Sequence, residues 1–144
     1  MDENIILVKI ESLKRRLNRI RDKIPASAAD LQADLDRQDI IILNLERAVQ
    51  LSVDIAAHTL AGLETRPPQT MAECFTSLHE AGVISRETAE RLRKSVGFRN
   101  IVVHEYQIIN WDAVFAIITK HLDDFRGFAR EVLSWLDEQN SNGN

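Results

Sequence analysis

The sequence holds one cysteine, Cys74, so no disulfide can form within the chain. That suits a reducing compartment, and the thiol is expected to serve as a small buried hydrophobe rather than a nucleophile. Three prolines and five glycines in 144 residues leave few breakers, and aromatic residues make up only 6%. Scarce breakers and scarce sheet-favouring aromatics both point to helices. No leader pattern and no apolar run of membrane length is visible, so a cytoplasmic protein with no membrane partner is the expectation. Basic excess is lacking too: the net charge is −4, which argues against a generic nucleic-acid binder.

What is present fits one globular domain over residues 1–144. The chain is 44% apolar and 28% charged, and long enough to bury a core. The charge is unevenly spread. Lys9, Lys14, Arg15, Arg16, Arg19, Arg21 and Lys23 crowd the first segment, and Arg86, Arg91, Arg93, Lys94 and Arg99 crowd a later one. Screening confines such patches to a reach of about 8–10 Å, so local basic faces can hold phosphate on an acidic protein. Solvated helix faces are the commoner fate of such charges.

Along the chain, Ile6, Ile10, Leu13, Leu17, Ile20 and Ile24 alternate in steps of four and three. This predicts a first helix from Asp2 to Ile24 with a narrow apolar stripe, stopped by Pro25. Ser27 to Gln38 is ambiguous, with Ser27 able to cap a short turn. Asp39 to Leu63 carries two stripes, one through Ile41, Leu45, Ala48, Ser52, Ile55 and Thr59, the other through Ile42, Val49, Val53, Ala56 and Leu60. A helix apolar on two sides is expected at the centre of the fold and at an interface. Thr70 and Glu73 form a capping-box pattern for a short helix to Glu80, ended at Ala81-Gly82. Ser85 starts a further helix. Gly97 within it costs about 1 kcal/mol relative to alanine, which suggests close approach of another backbone. Asn110 caps a last helix whose apolar face runs from Trp111 to Leu136, and residues 139–144 are expected to fray. The fold class is therefore all-α, an up-and-down bundle of about five helices.

The chemistry-bearing stretch is Gly97 to Tyr106, GFRNIVVHEY. Arginine offers a planar fork of donors and a permanent charge for phosphate, and histidine moves protons near neutral pH. At about 100° per residue, Arg99 and Tyr106 share one helix face, Asn100 and His104 another, and Arg99 and His104 stand roughly 140° apart. They could converge if the arginine bends round, if the helix ends near His104, or if two copies face each other across a two-fold axis.

Arg-x4-His-x-Tyr with a polar residue after the arginine, inside the wider phrase VGFRNIVVHEY, resembles the signature of the HEPN superfamily. In particular it resembles HepT toxins of HepT/MntA toxin–antitoxin pairs. The resemblance spans nearly the whole chain. It implies a HEPN-type bundle and a metal-independent endoribonuclease that needs no cofactor, acting at the cleft of a homodimer. It implies Arg99 and His104 as catalytic residues, with Asn100 and Tyr106 in support. It also implies an MntA-like nucleotidyltransferase antitoxin as partner, transferring AMP to Tyr106, and RNA as substrate, transfer RNA being a known target class of the family.

Two other classes compete. Phe75 to Lys94 resembles a helix-turn-helix, in which Arg86, Arg91, Arg93 and Lys94 would touch DNA. A short helical hairpin needs the same turn residues for structural reasons. A non-catalytic dimeric interaction bundle is the third reading. His58 follows Asp54 by four residues, a spacing that could hold a metal, but no further ligand cluster accompanies it. A side-chain hydrogen bond is the expectation there, and no metal site is expected. His79 and His121 stand alone in the sequence, and Met71 is expected only to pack.

Overall fold

The computed structural model describes residues 2–103 and 109–142, and of residues 100–103 the backbone alone. Those residues form seven helices and no strand: α1 (Glu3–Arg21), α2 (Ala28–Gln32), α3 (Leu35–Ala61), α4 (Met71–Glu80), α5 (Arg86–Val103), α6 (Trp111–Lys120) and α7 (Leu122–Asn142). The all-α expectation holds; the count of about five was low for two physical reasons. Ser27 accepts from the Asp30 amide and closes α2 as a helix of its own. The expected last helix is broken at His121, and α7 resumes at Leu122 with Asp123 and Asp124 in its first turn.

The long helices α1, α3, α5 and α7 close a ring, α1 on α3, α3 on α5, α5 on α7 and α7 back on α1. Side-chain pairs give their directions. Arg16 meets Asn44 while Lys9 meets Asp54, so α1 and α3 run antiparallel. Thr88 meets Glu131 while Arg91 meets Asp124, so α5 and α7 do likewise. Asn140 donates to Glu3 at 3.3 Å, joining the end of α7 to the start of α1. Helix α7 continues to Asn142. The short helices bridge the ring: α2 against α3 and α6, α4 against α3 and α5, α6 against α7.

The stripes become the core. Ile6, Ile10, Leu13, Leu17 and Ile20 are all buried on α1, while α1 itself ends at Arg21, short of Ile24. On α3 the first stripe is buried throughout, including Ser52 and Thr59. Their hydroxyls donate back to the Ala48 and Ile55 carbonyls, which satisfies them without a partner helix. Val49, Val53, Ala56 and Leu60 of the second stripe are buried as well, so α3 sits centrally.

The ends of α4 follow the sequence signals. Thr70 Oγ1 accepts from the Glu73 amide, and Glu73 reaches back to accept from Gln69. Gly82 stands at φ +80°, where L side chains are disfavoured, while Val83 donates to the Leu78 carbonyl and Gly82 to that of His79. Val83 and Ile84 then bury themselves, so this turn is a packed corner. Gly97 is a correction. A Cβ there would meet nothing within 4 Å, so the expected close backbone approach is not found among the described residues.

One contact fixes the start of α5. Glu131 of α7 accepts from the Ser85 amide at 2.7 Å and from the Thr88 hydroxyl, while Ser85 Oγ accepts from the Thr88 amide. A carboxylate is thereby set against the positive end of the helix that carries the motif. Glu131→Ala is expected to cost about 1–3 kcal/mol in urea unfolding. A loss below half a kcal/mol would show that this cap is idle.

Candidate active site

Three elements deliver Arg99 to its position. Helix α5 is held to the core by Ala89 and Leu92, both buried, and by the Glu131 clamp at its start. Arg99 lies near its end and is half-buried. Its Nη1 donates to Gln50 Oε1 at 3.1 Å and points at the Met71 sulfur at 3.6 Å. Gln50 belongs to the middle of α3 and Met71 opens α4, so the guanidinium stands where α3, α4 and α5 meet.

Behind Arg99 the contacts continue. Gln50 Nε2 donates to Asp54 Oδ1 at 3.0 Å, and Asp54 Oδ2 pairs with Lys9 of α1 at 3.5 Å. This revises two expectations. Asp54 is engaged by Gln50 and Lys9 rather than serving as partner to His58, and Met71 touches the guanidinium instead of only packing. Among the described residues, no group of three or more His, Cys, Asp or Glu is placed to share a metal ion. Gln50 was not legible as a site residue: forty-nine positions separate it from Arg99. The one signal available was its place four residues before Asp54 on a predicted helix.

The other sequence-assigned residues fall differently. The Asn100 side chain, and all of His104 and Tyr106, lie outside the described residues, so their convergence with Arg99 does too. Two other histidines, His79 and His121, are partnered. His79 Nδ1 lies 3.1 Å from the Ile84 carbonyl, which can only accept, so that nitrogen carries the proton. His121 Nδ1 lies 2.9 Å from Asp124 Oδ2.

A second face of α5 looks towards α6 and α7. Phe98 packs on the His121 ring at 5.7 Å, with the planes tilted by 46°. Around them Arg91, Lys94, Lys120 and Asp124 line a cleft of about 490 Å³. An aromatic ring flanked by exposed cations suits a nucleic-acid strand, the ring for a base and the cations for phosphates.

The helix-turn-helix reading finds little support. Val83, Ile84, Thr88 and Ala89 are turned into the core. Arg86 pairs with Glu90 of its own helix at 3.8 Å and Arg91 with Asp124 at 4.0 Å. The turn joins a packed hairpin, and two of the four proposed DNA contacts already face carboxylates.

Residues 13–132 match the family model described as Ribonuclease HepT-like, most of the chain. The chain belongs to the HepT-like ribonuclease family. The expected family is thus borne out over residues 13–132. The chain is 36% identical over 125 residues to the mRNA nuclease HepT of Shewanella oneidensis, covering 87% of this chain and 93% of that protein. It is 29% identical over 132 residues to the tRNA nuclease HepT of Aphanizomenon flos-aquae, covering 92% and 90%. Among solved structures it is similar to the tri-AMPylated Shewanella oneidensis HEPN toxin in complex with MNT antitoxin. There the TM-score is 0.83 at 34% identity, with 93% of this chain and 99% of that one covered.

Proposed function

We propose that this HepT-like ribonuclease is the toxin of a toxin–antitoxin pair and cleaves RNA without a metal ion, using Arg99 and His104 at a cleft between two copies of the chain. The observation that carries the reading is the Arg99 guanidinium. It is fixed at the junction of three helices by a neutral amide oxygen and a thioether, and among the described residues no carboxylate pairs with it. Its charge therefore remains available to a phosphate.

In the reaction, a ribose 2′-hydroxyl attacks the adjacent phosphorus while a His104 imidazole takes its proton. The bond from phosphorus to the 5′ oxygen breaks, and a protonated imidazole supplies that oxygen with a proton. The products are a 2′,3′-cyclic phosphate and a free 5′-hydroxyl. Arg99 stabilises the charge that gathers on the phosphoryl oxygens. One imidazole does not readily serve as acid and base in the same step, which is why a homodimer supplying two copies of His104 is part of the reading. Asn100 orients the imidazole or the phosphate, and Tyr106 donates to a phosphate oxygen. In the Phe98 cleft, Lys94 of the same helix as Arg99 and Lys120 of α6 give the strand beyond the scissile bond its counter-charge.

His104→Ala tests the assignment. A helical, folded variant should lose RNA cleavage by about a hundredfold or more, and full activity in such a variant would remove His104 from the mechanism.

The partner is an MNT-type nucleotidyltransferase antitoxin that transfers AMP to Tyr106. Each added AMP carries a phosphodiester charge and bulk to the place an RNA phosphate must occupy, so repulsion and obstruction silence the enzyme. Intact mass after incubation with ATP and the antitoxin should rise by whole AMP increments, and should not in Tyr106→Phe. An unmodified wild-type chain would refute the switch. Transfer RNA is the target class we propose first, to be read by sequencing the RNA ends that co-expression without antitoxin produces.

A further inference from the structure

We infer that Gln50 is a positioning residue for Arg99, and that its being an amide rather than a carboxylate keeps the catalytic guanidinium both fixed and uncompensated. The inference rests on the reading of Arg99 as the phosphate-binding group.

Two neighbours determine which way round the Gln50 amide sits. Asp54 Oδ1 can only accept, so at 3.0 Å it must face the amide nitrogen. Arg99 Nη1 can only donate, so at 3.1 Å it must face the amide oxygen. The two demands agree, and rotating the amide would break both bonds. Asp54 is itself held through its other oxygen by Lys9 at 3.5 Å. Three helices thus form a directed series: the Lys9 ammonium of α1 holds the Asp54 carboxylate, that carboxylate holds the Gln50 amide, and the amide oxygen holds Arg99.

The charge pattern is what gives the series a use beyond packing. A glutamate at position 50 would fit the same space and would bind a guanidinium more strongly. It would also pair off the charge that a phosphate needs, and it would face Asp54 with a second carboxylate and no donor. The glutamine avoids both. The acid that orients it stands one residue further from the guanidinium, with its own charge countered by Lys9. Met71, 3.6 Å from the same nitrogen, is a weak, uncharged acceptor, so it confines Nη1 without neutralising it. A side chain with many rotamers is thereby held in one of them before substrate arrives, while its remaining donors are left for the phosphate.

The test uses the full-length protein and a short single-stranded RNA, with helicity and thermal midpoint measured for every variant. Gln50→Glu should lower kcat/KM by roughly 10- to 100-fold, mainly in kcat, because it weakens stabilisation of developing charge. Gln50→Leu removes the hydrogen bond without adding charge and should fall between that variant and wild type. In an Arg99→Ala background, Gln50→Glu should change the residual rate by less than about twofold, since a group acting through Arg99 has nothing left to act on. A merely structural role predicts losses that track the thermal midpoint and multiply in the double variant; that outcome overturns the inference. Wild-type kinetics in both folded Gln50 variants, with Arg99→Ala inactive, would also overturn it while leaving the catalytic reading intact. A fully active Arg99→Ala would instead remove the reading on which it rests.

Discussion

Arg99→Ala is expected to reduce RNA cleavage by about a thousandfold, with the protein still folded. The size of the effect follows from what the guanidinium is placed to do. It is a group whose charge opposes none of its described neighbours' charges and is cancelled by none of them: Gln50 offers a neutral oxygen and Met71 a thioether. Such a group interacts more strongly with the doubly charged phosphorane-like transition state than with the singly charged diester, so its loss should appear in kcat. The fold should tolerate the change. Arg99 is half-buried, and its partners, an amide and a sulfur, keep other contacts: Gln50 still donates to Asp54. Arg99→Lys separates charge from geometry. The ammonium keeps the charge but lacks the planar fork, so an intermediate loss is expected. Quantitative cleavage of a fluorogenic RNA, with circular dichroism as control, reads both variants. Equal activity of Arg99→Ala and wild type would remove the arginine from the chemistry.

The second large effect concerns the core. Phe128→Ala should destabilise the protein by about 3–5 kcal/mol. Phe75 of α4 and Phe128 of α7 are both fully buried and meet edge to face, with ring centroids 5.6 Å apart and planes at 86°. Truncation forfeits the buried ring, the edge-to-face contact and the packing of everything around the void. At roughly 2–4 °C per kcal/mol for a chain of this size, the thermal midpoint should fall by about 10 °C. Phe128→Leu, which keeps most of the volume, should cost clearly less. A loss under 1 kcal/mol for the alanine variant would mean that the bundle closes over the gap or that the rings do not meet as described. Activity below the new midpoint should survive, because Phe128 lies on α7 and Arg99 is gripped by α3 and α4.

These two residues differ in how far the sequence announces them. The stripe Ile6, Ile10, Leu13, Leu17 and Ile20 is legible because period 3.5 leaves few alternatives to a helix with one buried side. The caps at Thr70 and Asn110 and the turn at Gly82 are legible because a few residue types satisfy those backbone groups. The break at His121 is not. Ile118, Leu122 and Phe125 keep helical spacing across it, so the apolar pattern runs on while the backbone hydrogen bonds do not. Nor does the end of α7 announce itself: Gln139 to Asn142 is polar, and it is Asn140 that meets Glu3 at the start of α1. The motif itself was legible as a phrase of residue types, and the family it pointed to is the one that residues 13–132 match.

By itself the sequence determined the helical class, the buried faces and the family, since each depends on residues near one another along the chain. The tertiary structure decided what stands beside Arg99. Gln50 and Met71 reach it from other helices, and the rotation of α3 and α4 about their axes, set by core packing, selects an amide and a thioether over the acids nearby. A sequence shows which charges exist; whether a given charge is cancelled or left open depends on distances of a few ångströms, and only packing sets those.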